Sequence, residues 1–276
     1  MVFQLVDYST VSTGALQYAV GLGQSFNISP RPDRLEFAFL RQLSNNGSPA
    51  PNAGTQPFDW PLEVIDAYED YAAIRALAMD AVEAAMKENP AITLDYIRSL
   101  RVTADHCGFY PRKEQLPRMA RFKWMVSCDI AFINRSYPWL SVYGIDKANR
   151  ISPFGSLIKG GVIPSTEYEG LGCGGGECVT PTTFLYKEIT RQNDKGDAIG
   201  KGEAIDRVSA LKTTTIWPAY YTLREKEIGS LEPGKLADFV VFNKDYMTVP
   251  EAEIPTSYAL MTVLGGKVVS LRDEYA

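Results

Sequence analysis

Apolar positions along the chain fall into short runs that switch between helical and strand spacing. Ile65, Tyr68, Ala72, Met79, Val82 and Met86 recur every three or four residues, interrupted at Arg75, and Asp59 and Pro61 resemble a helix start; together they predict a helix reaching Lys87. "RVTAD" (101–105) then predicts a buried strand, "KEQLPRMARF" (113–122) a short helix and "WMVSCDI" (124–130) a second strand. "SPFGSLIKGG" (152–161) follows as a helix capped by Ser152 with Pro153 in its first turn, and "VIPSTE" (162–167) as a third strand. Two more helices are expected, "TPTTFLYKEITR" (180–191), opened by Thr180 and Pro181, and "GEAIDRVSALKTTTIWPAYYTL" (202–223), which Pro218 should bend or end. Strands alternating with helices, joined by connections too long for hairpins, predict a parallel α/β arrangement. Beyond residue 229 the pattern changes to β-runs, "GKLADFVVFNKD" (234–245) and the pair "YALMTVLGGKVVSL" (258–271) hinged at Gly265-Gly266, so the tail should be a small β unit. Residues 24–61 are rich in Pro, Asn, Ser and Gly, with one helical patch at Leu35–Leu43, and should be largely irregular.

With 276 residues, 45% of them hydrophobic, the chain can bury a core and suits one large domain, or one with a small appendage. The net charge is −5, and the most basic segment, "PRKEQLPRMARFK" (111–123), reads as a solvated helix face. A nucleic acid is therefore not an expected partner. No run approaches the roughly 18 apolar residues of a membrane span, and the start "MVFQLVDYSTVSTG" lacks the layout of a signal peptide, so the expected location is cytoplasmic. Four cysteines, at 107, 128, 173 and 178, are too few and too unevenly spaced for a disulfide framework; reduced thiols are expected.

The segments "IGSLEPGKLADFVVFNKDYMTVPEAEIP" (228–255) and "MTVLGGKVV" (261–269) carry a more specific signal. Gly229, Leu231, Pro233, Gly234, Lys235, Ala237, Asp238 and the Gly265-Gly266-Lys267 turn stand in the order of the C-terminal signature of the amidohydrolase superfamily. The resemblance is to its family 3 group, related to N-substituted formamide deformylase and the YtcJ-like proteins. It implies a β-sandwich beside a metal-dependent (β/α)8 TIM barrel, with no catalytic residue in the tail. The expected organisation is a partial barrel over 1–228, with a loop-rich start at 1–58, and a C-terminal β-sandwich segment at 229–276. Taken without the family, Asp238 should make a turn hydrogen bond.

"RVTADHCGFYP" (101–111) holds His106, the single histidine. It is similar to the family's strand that delivers a metal-binding histidine to the carboxyl face of the barrel, where such active sites sit. The family's His-x-His pair has no counterpart here. Asp66, in "IDAYED" (65–70), stands where a further family histidine would be, and Glu167, in "GVIPSTEYE" (161–169), is the acid nearest the late aspartate that serves as metal ligand and general base. The resemblance therefore implies Asp66, His106 and Glu167 as an O, N, O set for a divalent ion, zinc or a manganese-like ion, with His106 and Glu167 catalytic. Against this stands a plainer reading: Asp66 on a solvated helix face, Glu167 a strand-end carboxylate, His106 a structural polar residue. In "LGCGGGECVTP" (171–181) Cys173 and Cys178 could close a small disulfide or hold a soft metal, although a flexible rim loop is the simpler expectation. Cys107 beside His106 invites a Cys–His nucleophile, but neighbours along a strand point to opposite faces.

The resemblance begins near residue 55, and family members carry the first half of the barrel before it. A truncated parallel sheet exposes edges and an apolar face, so a homodimer or higher homo-oligomer is expected to cover them. Three functions follow: metal-dependent hydrolysis of a non-peptide C–N bond of a small molecule, such as an amide or formamide, by a truncated amidohydrolase-like protein; a binding or assembly module that has lost catalysis; or a repurposed metalloprotein with oxidase activity.

Overall fold

The computed structural model describes residues 4–5, 79–80, 82–104, 107, 111–134, 136–167 and 180–275. The irregular stretch expected at 24–61, the helix start at Asp59, and Asp66, His106, Cys173 and Cys178 lie outside them. Where the long first helix is described, at 79–80 and 82–88, it is helical, with Met79 and Val82 buried as the spacing requires.

The expected alternation is present. Strands β1 (Gln4–Leu5), β2 (Thr103–Ala104), β3 (Met125–Asp129) and β4 (Ile163–Glu167) form one sheet in that order, with every pairing parallel. Helix α1 (Leu94–Ser99), capped by the Thr93 hydroxyl on the Tyr96 amide, leads into β2. Helix α2 (Leu116–Phe122) connects β2 to β3; its Leu116, Met119 and Phe122 are all buried. These join Val126 and Cys128 of β3 in the main core; all five residues of β3 are buried, the polar Ser127 and Asp129 included, as in a sheet covered on both faces.

After β3 come α3 (Ala131–Asn134) and α4 (Tyr137–Ala148), a region without clear periodicity in the sequence; α4 is broken at Gly144, whose φ is 72°. Helix α5 (Phe154–Lys159) then precedes β4, but Ser152 does not cap it. Ser152 is buried, and its hydroxyl donates to the Asp129 carbonyl at 3.0 Å. The cap comes from far along the chain: Glu203 accepts from the Ser156 amide and the Ser156 hydroxyl, both at 2.6 Å. A carboxylate placed against the first turn serves the unpaired amides and the positive end of the helix.

Helix α6 (Pro181–Thr190) begins as expected, with the Thr180 hydroxyl accepting from the Thr183 amide. The next helical segment is split into α7 (Arg207–Thr214), capped by Asp206, and α8 (Ile216–Tyr221). The break falls at Thr215 (φ −129°, ψ −85°), three residues before Pro218. A continuous helix would press the proline ring against the carbonyl four residues back; breaking at Thr215 leaves Pro218 in the first turn of α8, where no amide is missed.

Arg101, at the entry to β2, binds both oxygens of Glu225 just past α8, at 3.0 and 2.6 Å, and lies 4.0 Å over the Tyr220 ring. This hydrogen bonding draws the Glu225 carboxyl down to about 2. The pair is partly exposed, so Arg101→Ala is expected to lower stability by only about 1 kcal/mol in urea titration, and by less in high salt.

The tail forms a separate antiparallel sheet of β5 (Phe239–Phe242), β6 (Ala259–Leu264) and β7 (Lys267–Leu271). Gly265 and Gly266 both take positive φ, 56° and 78°, the geometry that a two-residue turn between β6 and β7 demands. Asp238 makes the expected turn bond, accepting from the Gly265 amide at 2.6 Å. β7 is exposed along its whole length, and its register against β6 slips next to Val263. Among the described residues no helix is long and apolar enough to cross a membrane.

Candidate functional site

In register, β3 and β4 end together: Ser127 pairs with Ser165, and Asp129 with Glu167. Because side chains alternate along a strand, these four share one face, while Val126, Cys128 and Thr166 share the other. The carboxyl ends of a parallel sheet are where α/β folds bind ligands, and here they present two hydroxyls and two carboxylates. The Ser127 hydroxyl donates to Glu167 Oε2. Asp129 turns its Oδ1 back to accept from the Ala131 amide at 2.7 Å, which starts α3. The Ile130 amide donates to the Glu167 carbonyl at 3.1 Å, joining the two strand ends.

Of the three residues implied by the family resemblance, Glu167 ends β4, as both the family reading and the plainer one of a strand-end carboxylate expect; Asp66 and His106 lie outside the described residues. Ser127 and Asp129 were missed. The signal for them was present in "VSCD", a polar residue at every second place at the end of an apolar strand, but the run read simply as buried.

Cys107 and Cys128 correct the expectation of reduced thiols: they form a disulfide, with Cα atoms 4.5 Å apart. The Cys107 amide donates to the Ser127 carbonyl at 2.8 Å. Continuing the Thr103↔Met125 ladder would give that carbonyl to the amide one residue earlier, so Cys107 is out of step by one and sits beside Cys128. The bond also removes Cys107 from any Cys–His nucleophile. Closing a loop of 21 residues, it is expected to contribute about 3 kcal/mol. Cys107→Ser should lower the urea midpoint accordingly; an unchanged midpoint would show the thiols unjoined.

The described donors do not by themselves make a metal centre. No group of three His, Cys, Asp or Glu residues among them is placed to share an ion. Asp129 is committed to the α3 turn, and two thiols are committed to each other.

Behind β4, on the opposite face from Glu167, lies a buried polar cluster. Glu188 of α6 is fully buried; its Oε1 is bonded to the Thr166 hydroxyl, and its Oε2 lies 2.8 Å from Thr213 Oγ1 of α7. Burial pushes the Glu188 carboxyl up to about 8, against the opposing pull of Thr166, Thr213 and the Arg191 charge. Arg191, in left-handed conformation after α6, is also fully buried and donates to the carbonyls of Ile199 (3.0 Å), Ser152 (2.9 Å) and Ile151. Burial draws it down to about 10, while Glu203 and Glu188 hold it up, so it stays cationic at neutral pH. Gly200 closes this cluster, with φ 61° and its amide on Asn149 Oδ1 at 2.8 Å. A methyl group there would run into the Asn149 carbonyl. Gly200→Ala is expected to cost about 2 kcal/mol, measured as a fall in Tm.

Two open clefts, of about 540 and 500 Å³, flank the loop between α6 and α7 and share Ala198 and Lys201. Neither is lined by Ser127, Asp129 or Glu167.

Comparison with known proteins agrees with the tail signature. The chain is 27% identical to N-substituted formamide deformylase of Arthrobacter pascens over 117 residues, which is 42% of this chain and 21% of that protein. It is 24% identical to YtcJ of Bacillus subtilis (strain 168) over 165 residues, 56% of this chain and 30% of that one. The chain thus spans less than a third of the length of these two relatives. Among solved structures, an amidohydrolase from Thermotoga maritima MSB8 superposes with a TM-score of 0.48 at 14% identity, covering 92% of this chain and 56% of that one. The model of the amidohydrolase family matches residues 56–270, most of the sequence, and the chain belongs to that family.

Proposed function

We propose that the chain hydrolyses a non-peptide C–N bond in a small molecule, an amide or formamide, at the carboxyl ends of β2, β3 and β4. The observation that carries this reading is the placement of Glu167: last residue of its strand, in register with Asp129 and held by the Ser127 hydroxyl. A carboxylate so oriented can take a proton from an attacking water. The water oxygen bonds to the carbonyl carbon, the C–N bond breaks, and the proton passes to the departing amine, giving a carboxylic acid and an amine.

The family resemblance implies a divalent ion, zinc foremost, on Asp66, His106 and Glu167. When bound, such an ion would lower the pKa of the attacking water; the proton transfers above are written for Glu167, because Asp66 and His106 lie outside the described residues. A symmetric homo-oligomer covering the sheet edges belongs to the same proposal, and a monomeric mass by light scattering would remove it.

The full chain, purified gently, is to be assayed for amine release from N-substituted formamides and simple amides, with zinc or manganese added and with chelator. Glu167→Gln is expected to lower kcat at least about 100-fold, and His106→Ala to lower bound metal measured by mass spectrometry. Equal metal in both proteins would take His106 out of any ion site. No amine release under any condition would leave the binding-module reading, which the lack of a second histidine already favours. The oxidase reading loses ground to the disulfide, which occupies two of its four thiols.

A further inference from the structure

We propose that Glu188 is a positioning residue for Glu167: a neutral acid on α6, buried beside β4 and α7, it grips Thr166 and thereby fixes the end of the strand that aims the Glu167 carboxylate. This rests on the reading of Glu167 given above.

The argument is one of hydrogen-bond counting. Thr213 Oγ1 has two acceptors in reach, Glu188 Oε2 at 2.8 Å and the Ala210 carbonyl at 2.7 Å. A hydroxyl has one proton to give. If Glu188 were a carboxylate, one of these two contacts would lack a hydrogen. A protonated Glu188 satisfies both: its Oε2–H donates to Thr213, Thr213 donates to Ala210, and Oε1 remains to accept from Thr166. Burial in the protein interior favours the same neutral form.

The consequence runs along β4. Thr166 and Glu167 are consecutive, so their side chains leave the strand on opposite faces. Glu188 holds the strand from behind through Thr166, while Ser127 holds the Glu167 carboxylate in front. The two grips together leave the end of β4 one orientation. Thr213 in turn ties Glu188 to α7, which packs against β4. Glutamine reproduces the neutral acid in both contacts, with its amide N–H on Thr213 and its oxygen facing Thr166; alanine reproduces neither.

Three variants of the full chain test this: Glu188→Ala, Glu188→Gln and Thr166→Val, with the Glu188→Ala/Thr166→Val double. Turnover of the formamide or amide substrate is split into kcat and KM, and hydrogen exchange is followed at the amides of Ile163, Ser165, Thr166 and Glu167. The expected result is a kcat at least 10-fold lower in Glu188→Ala with KM within 2-fold, recovery to within 3-fold in Glu188→Gln, and a double variant no worse than the poorer single. Exchange at these four amides should accelerate in Glu188→Ala and Thr166→Val and stay slow in Glu188→Gln. A folded Glu188→Ala with unchanged kcat, or a Glu188→Gln as impaired as alanine, overturns the proposal. If Glu188→Ala does not fold, Thr166→Val and Glu188→Gln decide it by the same criteria. Should the wild type turn over none of these substrates, the proposed function fails, and the exchange arm alone judges the grip: unaltered exchange at β4 in Glu188→Ala or Thr166→Val overturns it.

Discussion

Replacing Arg191 by alanine is expected to remove about 3–5 kcal/mol of stability, a large part of what a domain of this size possesses. The guanidinium is fully buried and serves three carbonyls from two separate stretches, Ile151 and Ser152 before α5 and Ile199 after α6. Alanine would strand all three acceptors without water and leave a void the size of a long side chain. Lysine should recover little, because its three donors radiate from one nitrogen and cannot reach acceptors spread along a planar fork. Urea denaturation followed by circular dichroism measures the loss; a shift under about 1 kcal/mol would mean that water reaches these carbonyls. The effect should extend to the strand ends, since Ser152 also donates to the Asp129 carbonyl.

Glu188→Gln should flatten the dependence of stability on pH, with the smallest difference from the native chain near pH 5 and the largest near pH 8. In the native chain Glu188 keeps its proton up to about 8, whereas in the unfolded chain it loses it near 4.5. Between these values the native state binds a proton that the unfolded state has released, so stability is greatest at and below the lower value and declines as pH rises through the window. Above about 8 both states are ionised and the contribution is gone. The slope from this group approaches about 1.4 kcal/mol per pH unit within the window, so its total is on the order of several kcal/mol. Glutamine has no proton to lose, and its unfolding free energy, measured in urea at pH 5, 6, 7 and 8, should be flatter by that slope. Parallel curves for the two proteins would place Glu188 ionised at neutral pH.

The elements most legible in the sequence are those whose identity depends on neighbours a few residues away. Thr180 and Pro181 open α6, and Gly265-Gly266 turns β6 into β7, because a cap or a tight turn is a local device. Three of the four parallel strands were legible from apolar runs set between helices; β1, two residues long, was not. What was not legible depends on residues far apart. Ser152 has the chemistry of a cap, but Glu203 holds that place and Ser152 serves Asp129 instead. Cys107 and Cys128 are poorly spaced for a disulfide framework, yet β2 and β3 are adjacent and a one-residue slip brings their sulfurs together. At the candidate site, Glu167 was found through the family's late acid, whereas Ser127 and Asp129 acquire their meaning only when β3 and β4 lie in register. Glu188 and Arg191 stand at the end of the helix predicted over 180–191 with nothing local to mark them; only packing reveals that both are sealed from water.

The bare outer strand of the tail hairpin sets a limit on handling. Val268, Val269 and Leu271 are each close to half exposed there, next to a charged Lys267 and a slipped register. An unbroken apolar rim would seed fibrils by adding strand after strand, and a kinked, positively charged one is a poor mould for the next chain. Reagents that neutralise lysines, such as acylating labels, therefore strip away a guard against polymerisation, and concentrated samples should be coupled through other chemistry.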